Sequence, residues 1–439
     1  MVTADSVGRT ALRKASWHLL PLLFFGYGIA YMDRLNISFA ALQMNEDLHF
    51  SATVYGLGGG LFFLSYAFFE VPSNLLLVRF GARRWIARIM LTWGLLAASM
   101  MFVKTPAQFY TMRFLLGMAE AGFFPGVLYY LMQWFPAEYR GRAISRFYFA
   151  FPLSSVLMGA VAGPLLGLGG HFGLAGWQWL FLVEGFPAIV LAAVILTVLP
   201  NTPAQAPWLT DQEREWIENR IGAEQASSSA ADESGWLRAF LDWRVVSLGI
   251  CNICIFGASY AFNLSAPTVL KGVTHWTATQ IGLLMSGTAL LGALAMLFNG
   301  FHSDRHRERY LHTAIPLCFV ACATVCIGLS ETTWGIVPAY IVSTVFYAGA
   351  QAAFWLIPCD SLRGKTAAVG LAAVGSIGML GAFIGPYAWG LARDLTGSYK
   401  VGLLSTAVSY FSAAALLLLI RHRARRSQPT TSMSAAVAD

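Results

Sequence analysis

Twelve long apolar stretches alternate with short polar segments along this chain of 439 residues. They begin near Trp17, Thr53, Trp85, Ala107, Ala143 and Trp177, then near Val245, Gln280, His312, Trp334, Ala367 and Val401. Each is close to the ~20 residues that carry an α-helix across a bilayer. The pattern predicts an all-α membrane protein of twelve transmembrane helices. Between the sixth and seventh stretches, residues 201–242 form the longest polar segment, amphipathic over 210–221 and rich in Ser and Ala over 226–234. The expected organisation is an N-terminal six-helix bundle (1–200), a cytoplasmic linker (201–242), a C-terminal six-helix bundle (243–426) and a disordered cytoplasmic tail (427–439).

The halves repeat one another. Arg79 with its following basic cluster recurs as Arg305, and Gly163-Pro164 recurs as Gly385-Pro386, in each case at the matching span of the second half. Two such pseudo-symmetric bundles are the architecture of alternating-access carriers, whose substrate site lies between the halves near the bilayer midplane.

Composition agrees, with 57% hydrophobic and 12% charged residues against roughly 25% charged in soluble domains. The net charge of +7 does not point to nucleic acid, because 23 of the 29 basic residues fall in alternate loops on one side. By the positive-inside rule that side, with both termini, is cytoplasmic. The first apolar run is too long for a cleavable signal and carries Asp33 and Arg34. The six cysteines follow no disulfide or zinc spacing, so no metal or cofactor is expected. Glycines in the spans suit close helix packing, and no phosphate-loop pattern implies ATP.

Charge inside the spans is the informative exception, since each such group costs about 2.5 to 3.5 kcal/mol at the bilayer centre. Asp33, Arg34, Glu70, Arg113, Glu120 and Glu184 are the candidates. Asp33 and Arg34 lie about 24 Å along the first span and Arg113 about 9 Å into the fourth from the other face, at similar depth. These three are expected to meet across a cavity. Glu120 shares a helix face with Arg113, about 10 Å deeper. An arginine here would take a substrate carboxylate by forked hydrogen bonds, while Asp33 or Glu120 alternates between ionised and protonated forms. The second half has no comparable charges: aligning Tyr31 with Tyr260 sets Asn263 against Arg34. Glu70 and Glu184 read as packing or gating residues.

The motifs Tyr31-Met-Asp-Arg-Leu-Asn36, Glu70-Val-Pro-Ser-Asn74, Arg113-Phe-Leu-Leu-Gly-Met-Ala-Glu120, Gly176-Trp-Gln-Trp179 with Glu184-Gly-Phe-Pro187, and Ser303-Asp-Arg305 resemble those of the anion:cation symporters of the major facilitator superfamily. The nearest subgroup is bacterial uptake carriers for tartrate, phthalate and 4-hydroxyphenylacetate. The resemblance implies proton-driven symport in a bacterial inner membrane, with the proton as coupling ion. It assigns proton coupling to Asp33 and Glu120 and the anion site to Tyr31, Arg34, Tyr66 and Arg113. It also assigns Arg79, Arg83, Arg84, Asp304 and Arg305 to clamping the cytoplasmic helix ends. From the second half, Asn263, Trp355 and Ser376 complete the candidate substrate site. Where similar proteins carry two asparagines in span eleven this chain has Gly375 and Met379, and Ser265-Ala266 replaces a bulky pair in span seven. Fewer donors and several aromatics suit an aromatic or less hydroxylated acid. The expected partners are a small organic anion and the bilayer, with the protein a monomer. Symport and proton-independent exchange or export both fit these residues. A membrane enzyme does not, because no HExxH or GxSxG motif occurs, and the longest cytoplasmic segment is short for a sensor's output domain.

Overall fold

A computed structural model describes residues 4–228, 242–361 and 366–426 of the chain. Among the described residues, eleven helical segments are long and apolar enough to span a membrane: Ala52–Phe80, Ala82–Phe102, Pro106–Met132, Ala137–Leu166, Gly176–Val198, Trp243–Thr274, Ala278–His306, Tyr310–Leu329, Thr333–Pro358, Gly370–Thr396 and Lys400–Ala424. They are spans two to twelve. Span one, Ala4–Asp47, is the longest at 44 residues. Its apolar character is diluted by His18, Asp33 and Arg34, yet it packs in the middle of the first half. At 1.5 Å per residue it runs about 66 Å, twice the hydrocarbon thickness, so its start projects beyond the membrane.

That projection has a partner. The linker helix Asp211–Ser228 docks on the first half: Lys14 Nζ donates to Glu213 Oε2 at 2.8 Å, Trp216 fills the space beside Gly8, and Arg140 and Arg220 pair with Glu224 and Glu138. Residues 229–241 and the tail 427–439 lie outside the described residues. Partial burial pushes the Glu213 carboxyl up, but hydrogen bonds from Lys14 and the Thr210 amide outweigh it and hold it below the usual carboxylate range. A depressed folded-state pKa makes a contribution present above the unfolded value of about 4.3 and lost as pH falls through the folded one. Amide exchange over 211–228 is therefore expected to speed up below about pH 4 in wild type. Glu213→Gln should remove that pH dependence, and an unchanged profile would exclude the contact as the anchor.

The halves meet along two seams toward the face opposite the termini. In one, Gly159 of span five abuts Gly282 of span eight; in the other, Gly56 and Gly60 of span two abut Pro386 and Phe383 of span eleven. Exchanging the halves turns one seam into the other, as the sequence repeat requires. Hydrogen bonds between the halves cluster at the same end. Asp394 accepts from the Ala52 and Thr53 amides at 3.0 and 2.8 Å, Tyr55 Oη donates to the Leu264 carbonyl at 2.9 Å, and Ser286 Oγ donates to that of Val156 at 2.6 Å. The Asp394 carboxylate thereby caps the N-terminus of a helix from the other half, where it complements the helix dipole. Tyr55, Leu264, Ser265 and Trp389 line a residual cavity of ≈ 20 Å³ in this seam, room for about one water. Among the described residues, the hydrogen bonds between the halves lie at this face and none joins their termini-bearing ends.

Candidate functional site

Arg34 and Glu120 form the centre of the site. Arg34 Nε donates to Glu120 Oε1 at 2.7 Å and Nη2 reaches the same oxygen at 2.6 Å. Glu120 keeps 1% of its side chain exposed and Arg34 15%, so the arginine is the more accessible member. Glu120 Oε2 is buried without a hydrogen-bond partner. The backbone explains why the carboxylate can sit there. The helix Pro106–Glu120 ends at Glu120, and the chain resumes at Phe123 after Gly122, whose φ of +85° is accessible to glycine at no steric cost. A Cβ on Gly122 would also strike Ser73. Interrupted membrane helices survive only where protein or a water-filled cavity surrounds the break, the setting in which carriers place their sites.

Arg34 lies over the Tyr66 ring at 4.9 Å, and the Phe62 ring touches two guanidinium groups, Arg34 at 5.7 Å and Arg113 at 4.7 Å. Arg113 is 1% exposed and donates from Nε to the Gly58 carbonyl at 3.4 Å. Asp33 faces the interior of the first half, accepting from Asn36 Nδ2 and Trp93 Nε1, each at 3.1 Å. Asp33, Arg34 and Arg113 lie within electrostatic reach of one another, Arg113 acting on Asp33 more strongly than Arg34 does, but Asp33 takes its hydrogen bonds from Asn36 and Trp93. Consecutive helix residues diverge by about 100°, so Asp33 turns to span three while Arg34 turns to Glu120. Behind Asp33 lies Glu184, 6% exposed, whose carboxyl sits beside Asn36 with neither oxygen in a hydrogen bond of ordinary geometry; Asn36 Oδ1 is similarly unpaired.

An aromatic wall faces these charges. Tyr31 meets Phe151 edge-on at 4.3 Å, Tyr148 stacks on Phe151 at 5.7 Å, and Phe63 touches Tyr260 across the halves at 4.2 Å. Tyr347, Gln351 and Trp355 follow at i, i+4 and i+8 on one face of span ten, which breaks at Trp355. Gln351 Nε2 donates to Tyr347 Oη at 2.8 Å, and its Oε1 is buried without a partner. Tyr260, Tyr347 and Gln351 were missed in the sequence because neutral polar residues cost little in a span; a glutamine flanked by aromatics at helical spacing was the available signal. Trp355 packs near Phe256 and Gly375. Asn263 is exposed on the helix face that carries Tyr260. Ser376 shares an exposed stripe with Leu380 and Ile384 and is not brought to the charges.

The proposed clamp residues stay within their own halves in this conformation. Asp304 pairs with Arg309 at 2.6 Å, Arg83 bonds the Leu196 carbonyl and the Asn201 side chain, Arg79 lies over Phe80, and Arg84 and Arg305 are exposed.

A family profile described as Major Facilitator Superfamily matches residues 23–386 and, overlapping them, 248–436. The chain belongs to the major facilitator superfamily. It is a multi-pass membrane transporter for a small molecule and not an enzyme. Within this superfamily it is 39% identical to a proposed tartrate transporter of Agrobacterium vitis, over 98% of this chain and 95% of that one. It is 36% identical to a quinolone resistance transporter of Acinetobacter baumannii, over 96% and 98%. A crystal structure of a bacterial homologue of the human lysosomal transporter Spinster superposes with a TM-score of 0.79 at 16% identity, covering 95% of this chain and 99% of that one. The superfamily fold that the motif resemblance implied is thereby shown.

Proposed function

We propose that this transporter is a proton-coupled symporter that imports a small organic carboxylate by alternating access, with both termini cytoplasmic in a bacterial inner membrane. The observation that carries the reading is the buried Arg34–Glu120 pair, of which the arginine is the more accessible member. A substrate carboxylate and Glu120 compete for the same guanidinium. Protonating Glu120 removes its claim, so Arg34 can receive the anion through forked hydrogen bonds. Once anion and proton leave, the pair re-forms and neutralises the site. Loaded and self-paired states both carry a compensated Arg34, which suits each to reorientation; a lone buried guanidinium would be costly. Asp33, fixed by Trp93 and Asn36, serves the same coupling proton, and Arg113 holds the potential positive around it.

The proposed tartrate transporter among the relatives supports a dicarboxylate or hydroxy acid. The wall of Tyr31, Tyr148, Phe151 and Tyr260 supports an aromatic acid, and Gln351 offers an amide to a second polar group. No cofactor takes part beyond the coupling proton, and the monomer is the working unit. Uptake of labelled tartrate, phthalate and 4-hydroxyphenylacetate into proteoliposomes under an imposed pH gradient tests this. One acid should accumulate against its gradient in wild type and fail to do so in Asp33→Asn. The quinolone resistance relative favours a second reading, efflux of an aromatic compound; uptake indifferent to the gradient for all three acids would move the assignment to it.

A further inference from the structure

A histidine cluster at the termini-bearing rim of the second half is unused by the transport reading. His302 and His306 lie one turn apart at the end of span eight, and His312 stands in the first turn of span nine across the connecting loop. Their ligating atoms lie within 4.8 Å of one another, the one such group of three His, Cys, Asp or Glu among the described residues. His302 Nδ1 and His312 Nε2 are 2.7 Å apart, and the rings of His302 and His306 have centroids 4.1 Å apart.

The hydrogen bonds around the cluster set the tautomers. His306 Nδ1 is 2.9 Å from the His302 carbonyl oxygen, so it donates there and leaves Nε2 with a free lone pair. His312 Nδ1 is 3.2 Å from Glu308 Oε2 and donates to that carboxylate, leaving Nε2 directed at His302. A ring nitrogen held by a carboxylate while the other nitrogen faces a shared centre is the arrangement that orients histidine ligands in metal sites. Glu308 is itself fixed, by the Leu311 amide at 2.7 Å and Arg421 at 3.1 Å. Arg309 is compensated by Asp304 at 2.6 Å, and Arg305 and Arg307 are exposed, where water screens them.

We propose that His302, His306 and His312 form a binding site for a divalent transition-metal ion of the zinc class, which staples the end of span eight to the start of span nine. Imidazole nitrogen suits zinc, nickel or copper, whereas magnesium and calcium require oxygen ligands that this cluster lacks. Zinc–nitrogen bonds of about 2.0 to 2.1 Å place tetrahedral ligand atoms about 3.3 Å apart. The close His302–His312 pair therefore opens by about half an ångström on binding, and the remaining ligand position takes water. Without metal, His302 Nδ1–H donates to His312 Nε2. The ion takes the place of that shared proton, which moves to the His302 Nε2 facing solvent.

The full-length protein, purified with its affinity tag removed, is titrated with Zn²⁺ by calorimetry and with Co²⁺ by visible absorption. Wild type should bind one equivalent with micromolar affinity, ignore Mg²⁺ and give the intense bands of tetrahedral Co²⁺. H302A/H306A should bind at least tenfold more weakly and lose those bands. Both residues are exposed, so an unchanged melting temperature should show the variant folded; if it does not, His306→Gln alone serves. Zn²⁺ should also slow amide exchange over 303–311 in wild type only. Equal affinity in wild type and variant, or no tetrahedral Co²⁺ spectrum, overturns the proposal. No transport is measured, so the result stands apart from the symport reading.

Discussion

Glu120→Gln is expected to abolish accumulation of the substrate anion driven by a pH gradient while preserving exchange between equal internal and external pools. The substitution keeps the shape of the side chain but removes the charge that holds Arg34 and the capacity to take a proton. Arg34 is then available to the anion at every pH, and substrate binding loses its link to the proton. In wild type, lowering the pH protonates Glu120 and releases Arg34, so apparent affinity should rise with acidity; in Glu120→Gln the profile should be flat. One coupled proton across a gradient of one pH unit is worth about 1.4 kcal/mol, or about tenfold accumulation. A gradient of two units should therefore give roughly 100-fold accumulation in wild type and essentially none in the variant. Arg34→Ala should lose uptake and exchange together, because it removes the carboxylate's docking group. Truncating one member of a buried charge pair costs about 2 to 5 kcal/mol, at least a 30-fold loss of apparent affinity. Proteoliposome uptake and counterflow separate the two phenotypes. Retained uphill accumulation in Glu120→Gln would show that the proton travels elsewhere and that this ion pair is structural.

The spans were legible because membrane crossing imposes a length and an apolar content that few other structures share. Their ends were less so. Span one begins at Ala4 and not near Trp17, because its polar start continues the helix against the linker through Lys14 and Glu213. Span five begins at Ala137, not near Ala143, its first turns being an amphipathic piece tied to the linker by Arg140 and Glu138. Buried charge marked Asp33, Arg34, Arg113 and Glu120 in advance, since each costs enough to demand a reason. Which of them pair was not legible: it depends on the break after Glu120 and on the direction of each side chain, both set by packing. The sequence likewise named Ser376 without revealing that its stripe is shared with exposed Leu380 and Ile384. The seams show the same limit. Glycines in the spans announced close packing, but only the assembled halves show that Gly159 faces Gly282 and Gly56 faces Pro386.

Replacing Gly282 by leucine is expected to shift the protein out of the conformation described here toward one open on the opposite face. A Cβ at Gly282 would run into the Gly159 carbonyl oxygen, and one at Gly159 into that of Gly282. The obstructing atoms are backbone, so no rotamer change relieves the clash and the helices must separate. Overpacking of this kind costs about 1 to 3 kcal/mol even where neighbours adjust, and 2 kcal/mol moves a two-state equilibrium by about 30-fold. The polar contacts that would open with the seam, such as Asp394 with the Ala52 and Thr53 amides, sit at the exposed end where water can replace them. The steric term therefore decides the balance. Spin labels at exposed Lys104 and Glu331, one on each half at the closed face, should report a longer distance population in Gly282→Leu than in wild type. Steady uptake should fall, because the carrier no longer completes its cycle. Gly282→Ala should produce a smaller shift of the same sign. An unchanged distance distribution together with normal uptake would mean that the seam tolerates a side chain, and that some other contact holds this face shut.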